Sequence, residues 1–538
     1  MVEATARSRR FFLETALLGT VCLFLSGYLF LVMDGLVETG IRHKPFSLSD
    51  FLVIVGCVAC ITLLLYRLCG IRAIYGLLSA GGLFFAIGQA YFVPDEGQHF
   101  AYIEHIATKH RLPTVRDFVP NTVYAMEEHI YPKPSSRDPS KFDPSRLALG
   151  AFIYEAMHPP LYYLAASAVY LITPGDLIAK LYVLRVVGVL TLIGFAWVMV
   201  RSYRKNTESG VIPADDFLFF GVLCLFTLTP GILLSSAIIR NLALTLVLCG
   251  LFYHRLACLQ TLSRQLKSSD AAILGVITGC AIATHFFNAT LLAVGTMFLL
   301  LRRSHRLVPA YLLCAVAVPA PWFVFNWLQY GSLTGWKLVH PLMMDILNPD
   351  RTPYEISTVL DQLGPSFFHF FWNAEPTKRM ALLSDLCSKY LSVLVCMAVL
   401  GIGVGQLWKM ARREPWQPLD ALCVLGISLN AGLLFYISMT DWVPTVFGRH
   451  MYLSVWPLAF LTHRFLSNLP VFQRRAFIFS LILCAAMLWT NFAVQIVAAQ
   501  LMSIRPTQQK LRTKADGPNR ELESFNLFHT QASHPLRP

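Results

Sequence analysis

The chain reads as an all-α polytopic membrane protein of about 12 to 14 transmembrane or re-entrant helices, each crossing needing on the order of 20 apolar residues. Three observations predict this. Of 538 residues, 55% are hydrophobic and only 14% are charged, where an average soluble domain carries roughly 25% charge. The mean hydropathy is +0.55. Apolar stretches of crossing or near-crossing length recur along the chain, and no large soluble domain fits between them.

The stretches fall at 11–33, 51–68, 71–93, 159–173, 179–200, 213–233, 237–257, 271–287, 289–301, 307–328, 384–407, 416–438, 450–466 and 474–500. Polar material is confined to two loops, 94–150 and 329–383, and a tail. The expected organisation is an N-terminal transmembrane hairpin at 1–70, a main membrane domain at 71–500 and a flexible tail at 501–538. The tail is poor in the apolar residues that ordering requires.

The formal charge of +13 does not point to nucleic acid. Lys and Arg cluster at segment ends, in Arg7–Arg10, Arg201–Lys205, Arg302–Arg306, Lys409–Arg413 and Arg474-Arg475. That is the positive-inside pattern of cytoplasmic loops. It keeps the basic N-terminus inside and reads 11–33 as an uncleaved anchor. Almost all of the 13 cysteines lie in apolar segments, where a thiol behaves as a small hydrophobe. Cys57-x-x-Cys60 sits inside such a segment without a second ligand pair, so no metal site is expected there.

Counting crossings from either end places Asp95, Asn241, His285, the loop 329–383 and Arg449-His450 on the outer face. The two counts collide between 150 and 205. A re-entrant stretch at 159–173, which is short and opens with two prolines, resolves them. The expected location is the cytoplasmic (inner) membrane, multi-pass, with any outer-face site turned to the outside or periplasm.

The most telling motif is Val93-Pro94-Asp95-Glu96-Gly97-Gln98-His99, directly after an apolar segment. Carboxylates at a helix mouth in a protein of this composition mark a candidate functional site. The plain alternative is that they mark the water interface or cap the next helix. From His99 to Arg111 the apolar spacing suits an amphipathic helix lying on the membrane surface, with the extra histidines on a solvated face. Next comes Glu155-Ala156-Met157-His158-Pro159-Pro160-Leu161-Tyr162-Tyr163, where two prolines fix the entry angle of the chain. Weaker outer-end groups are Arg240-Asn241, Thr284-His285-Phe286-Phe287-Asn288 and Gly448-Arg449-His450. Each alone is ordinary helix-end chemistry. Together they gather polar side chains on one face, which an anchor does not need.

The order Asp95-Glu96-x-x-His99, His158-Pro159-Pro160-Leu161-Tyr162-Tyr163, Pro321-Trp322-x-x-x-Asn326 with Tyr330-Gly331, and Gly448-Arg449-x-x-Tyr452 resembles the polytopic C-type glycosyltransferases (GT-C). These include protein O-mannosyltransferases, lipid A aminoarabinose transferases and a bacterial branch with a P-D-E-x-x-H signature. The chain resembles that last branch most, over roughly Ile71 to Gln500. The resemblance implies a GT-C-like bundle and a polyprenyl-phosphate-linked sugar donor held at the outer face. The acceptor hydroxyl would lie on an unspecified glycan, lipid or protein. It implies Asp95 as general base, with Glu96 orienting the acceptor or tuning Asp95. Arg449 is the first candidate for the lipid phosphate, a bidentate role suited to guanidinium. His158, His450, Arg240 and His285 follow, and His99, Tyr162 and Asn241 stand on the acceptor side. No D-x-D motif is present in the outer loops, so neither a metal nor another cofactor is implied.

Three departures qualify this. Arg240-Asn241-Leu242 stands where the family often carries Asn-Asp. His285 stands where many relatives carry lysine. The helices before residue 71 have no family role. Two other readings compete: a transporter or flippase of lipid-linked sugars, which predicts internal repeats and charge in helix middles, and a polysaccharide polymerase or ligase, which relies on large outer loops rich in Arg and His.

Overall fold

The computed structural model describes residues 48–88, 96–120, 153–334, 381–441 and 451–490. Among them there is no β-strand, and nearly every expected apolar stretch is a helix. Helix α1 (Leu48–Cys69) meets α2 (Ala73–Gly88) through the 3-10 turn Gly70–Arg72. Gly70 adopts φ +58° there, a left-handed conformation that a residue without Cβ takes freely.

After α3 (Glu96–Lys109) come α4 (Leu161–Ile172) and the long α5 (Leu177–Glu208). Among the described residues six helices are long and apolar enough to cross a membrane, counting Val55–Gly88 as one, and eight if each of two bent pairs is one span. The protein is a multi-pass membrane protein. The stretch 11–33 lies outside the described residues.

The bent pairs sit where proline interrupts an apolar run. The segment expected as one crossing at 213–233 divides into α6 (Asp216–Thr227) and α7 (Pro230–Ala237), at 59° to each other. Proline disfavours helical geometry in the residue before it, and Thr229 is extended (φ −63°, ψ 143°). The next elements are α8 (Leu242–Gln260), α9 (Ser268–Thr284) and α10 (Thr290–Leu301). Then α11 (Val308–Ala317) and α12 (Ala320–Tyr330) bend by 54° at Pro319 and Pro321. Helices α13 (Ala381–Ala411), α14 (Pro418–Asp441), α15 (Val455–Ser467) and α16 (Val471–Thr490) complete the bundle.

Helix α4 has 12 residues, about 18 Å at 1.5 Å per residue, which falls short of the roughly 30 Å of a bilayer core.

Two cores result. The larger runs through the bundle, with Phe195, Phe220, Phe252 and Val455 fully buried. The smaller lies between α3, α4 and the start of α5, around Phe100, Tyr163, Leu181 and Ile239. This second core corrects one expectation. Helix α3 does not lie open on a membrane surface, since ten of its 14 residues are buried. Helix α4 and the turn Tyr154–Met157 pack across it. His110 is exposed as expected for a solvated face, but His99 and His105 are buried.

At the opposite end of the bundle, short ion pairs staple the loops. Asp270 accepts from Arg255 and Arg264, each at 2.8 Å. Arg302 donates to the carbonyls of Gln260 and Leu262. Arg474 lies 3.1 Å from Asp215.

Candidate functional site

The site grows from the first residue of α3. Glu96 is fully buried and receives a bidentate pair from Arg185 of α5, Nε and Nη2 each donating at 2.8 Å. The Ile239 backbone N–H adds a third donor at 3.0 Å, while Arg185 Nη1 reaches the Ala86 carbonyl of α2 at 3.2 Å. The chain around Ile239 comes this close because residue 188 is glycine. A Cβ there would collide with the Ser236 carbonyl.

One turn along α3, His99 Nδ1 lies 2.7 Å from the Tyr163 hydroxyl. Tyr163 stacks on Tyr102 with ring centroids 3.8 Å apart.

His158 is held by its sequence context. The residue before a proline is pushed to extended backbone, and His158 has φ −86° and ψ 148°. Pro160 then opens α4. The buried Glu155 carboxylate lies 3.1 Å from His158 Nε2 and 3.6 Å from His99 Nδ1. The ring of His285, which ends α9, lies 5.4 Å from that of His158. Beside it, Asn241 donates to the Thr284 carbonyl at 3.1 Å, and the Tyr162 hydroxyl bonds the Arg240 backbone.

Seven of the residues expected from the sequence therefore meet at one end of the molecule: Glu96, His99, His158, Tyr162, Arg240, Asn241 and His285. They come from α3, the 154–163 turn, the 238–241 connection and the end of α9. Asp95, Arg449 and His450 lie outside the described residues. Both Glu96 oxygens accept from Arg185, and Oε1 from the Ile239 backbone as well, so this carboxylate is clamped from two sides.

Sequence reasoning gave no role to Arg185, Glu155, Tyr102 or Tyr163. Arg185 had a signal, since a lone arginine inside the apolar run 179–200 must find a partner. Glu155 and Tyr163 stood within the His-Pro-Pro motif without one. Among the described residues no group of three or more His, Cys, Asp or Glu is arranged to hold a metal ion. No protein family, curated protein or solved structure matches the chain.

Proposed function

We propose that the protein is a membrane glycosyltransferase that moves a sugar from a polyprenyl-phosphate donor to an acceptor hydroxyl. The observation that carries this reading is the row of rings His99, His158 and His285, with buried Glu155 against the first two, beside the helix that opens at Glu96. In the proposed step Asp95 takes the acceptor proton, and the acceptor oxygen attacks the anomeric carbon. The bond from that carbon to the phosphate oxygen breaks with inversion, and the electron pair leaves on the polyprenyl phosphate. One base and a group of cations around the leaving phosphate suffice for such a displacement. Arg449 is the first candidate cation, and His158, His285, His450 and Arg240 are the further candidates. Glu96 and Arg185 have a positioning role, because they pin the residues on either side of the 89–95 connection.

The test is incubation of purified protein with radiolabelled polyprenyl-phosphate sugars and membrane extract, comparing wild type with Asp95→Asn. Transfer is expected in the wild type and a loss of at least a hundredfold in the variant, the scale of a general-base contribution. Full transfer in the variant removes Asp95 as base. The Glu96–Arg185 pair, buried inside a helical bundle, is the one observation that favours the transporter reading. Binding without turnover in both proteins would support it.

A further inference from the structure

Two groups stand out among the basic residues at the stapled end of the bundle. Arg255, Arg264, Arg302 and Arg474 are engaged by carboxylates or backbone carbonyls. Arg201 and Arg412 have no carboxylate partner among the described residues; each instead lies over an exposed indole. The Arg201 guanidinium is 4.8 Å from the centre of the Trp197 ring, and Arg412 is 4.3 Å from that of Trp408. Both tryptophans lie four residues before their arginine, on different helices. Trp197 is 46% and Trp408 58% exposed.

Each pair terminates an outward apolar stripe. On α5 the stripe passes through Val183 and Leu190 to Trp197, and on α13 through Met397, Leu400 and Val404 to Trp408. An apolar stripe, then an indole, then an arginine one turn later is the order of a membrane from hydrocarbon to headgroup. Stacking on an indole occupies the face of a guanidinium and leaves its in-plane N–H groups pointing outward. Those donors match a phosphodiester in a two-point fork.

We propose that Trp197–Arg201 and Trp408–Arg412 are two binding sites for the phosphate of an anionic phospholipid. Anionic lipid is favoured over zwitterionic because a choline headgroup brings its own cation into a region already charged by Arg204, Lys205 and Arg413. The proposal is independent of the transfer reaction.

The test is native mass spectrometry of the full chain from micelles holding equal phosphatidylglycerol and phosphatidylcholine. The wild type is expected to retain phosphatidylglycerol preferentially. The double variant Arg201→Gln/Arg412→Gln should lower the retained ratio about fivefold, the effect of removing one basic residue at each anionic headgroup. Trp197→Leu should lower it in the same direction while keeping the charge, and Arg204→Gln should leave it within about twofold. An unbiased ratio in the wild type overturns the proposal. So does an equal loss in Arg204→Gln, which would indicate a diffuse field. Displacement of the retained lipid by millimolar inorganic phosphate would also overturn it, since the sites would then read free anion and not lipid.

Discussion

The two ends of α5 solve the same problem, placing charge beside a hydrophobic bundle, in opposite ways. Near its start, Arg185 and Glu96 are both fully buried, and their carboxylate and guanidinium are matched to each other and to two backbone groups. Near the far end of the bundle, Asp270 holds Arg255 and Arg264, whose side chains are 29% and 44% exposed. Water shares in the second arrangement and is excluded from the first. Exposed pairs contribute little to stability. A buried pair is tolerated only while both partners are present, because either alone is a desolvated charge. The wet end is therefore replaceable and the dry end is not.

Substitutions should widen or erase that contrast. The largest effect is expected for Arg185→Leu, which strands Glu96. A loss of about 3–5 kcal/mol follows for a broken buried pair, read by thermal unfolding in detergent. A shift near zero would mean that Glu96 reaches water and that the two ends do not differ. Tyr163→Phe should weaken the same region by about 0.5–1.5 kcal/mol, through the lost bond to His99. An unchanged melting temperature would show that the hydroxyl is not holding that ring.

Acidity offers a milder probe of the α3–α4 layer. Burial holds the His105 imidazole below its ordinary value of 6.5, with Asp117 pulling it back up and Arg111 and Lys109 pressing it down. The folded chain then binds fewer protons than the unfolded chain below about pH 6.5. Stability falls as pH drops through that region and levels off below the folded value. Melting temperatures from pH 7.5 to 5 should show the slope, and His105→Gln should flatten it. Asp117, held down to about 2 by Arg111 and Thr114 against its own burial, contributes stability that is lost only as pH falls from its ordinary 3.8 toward 2, outside that range. The smallest effect is expected for Arg264→Gln, whose melting curve should overlay the wild type. A clear drop would make the wet end as demanding as the dry one.

The bundle was legible because apolar length is a property of the sequence itself, whereas the bends at Pro230, Pro319 and Pro321 break stretches that read as single crossings. His158 was legible for a similar reason, as its backbone is dictated by the next residue. Arg185 pairs with Glu96 across 89 positions, and no local pattern records that. The burial of α3 was also hidden. Its polar residues look solvated until α4 supplies Tyr163, and the 154–157 turn supplies Glu155, to meet them. Residues whose role comes from a neighbour distant in sequence were the ones missed.

The length of α5 has a consequence for depth. Its 32 residues span about 48 Å, more than the roughly 30 Å of a bilayer core. One rigid rod thus carries both Arg185 and Trp197, about 18 Å apart along the axis. It acts as ruler and protractor at once. Adding one residue between them would turn the outer half by about 100° relative to the inner half. Arg185 would swing away from Glu96 while Trp197 kept its place at the membrane edge. Adding four would nearly restore the angle, at about 40° out of phase, and shift the site by about 6 Å. The clamp's height in the bilayer and its aim toward α3 are thus set by a single count of residues.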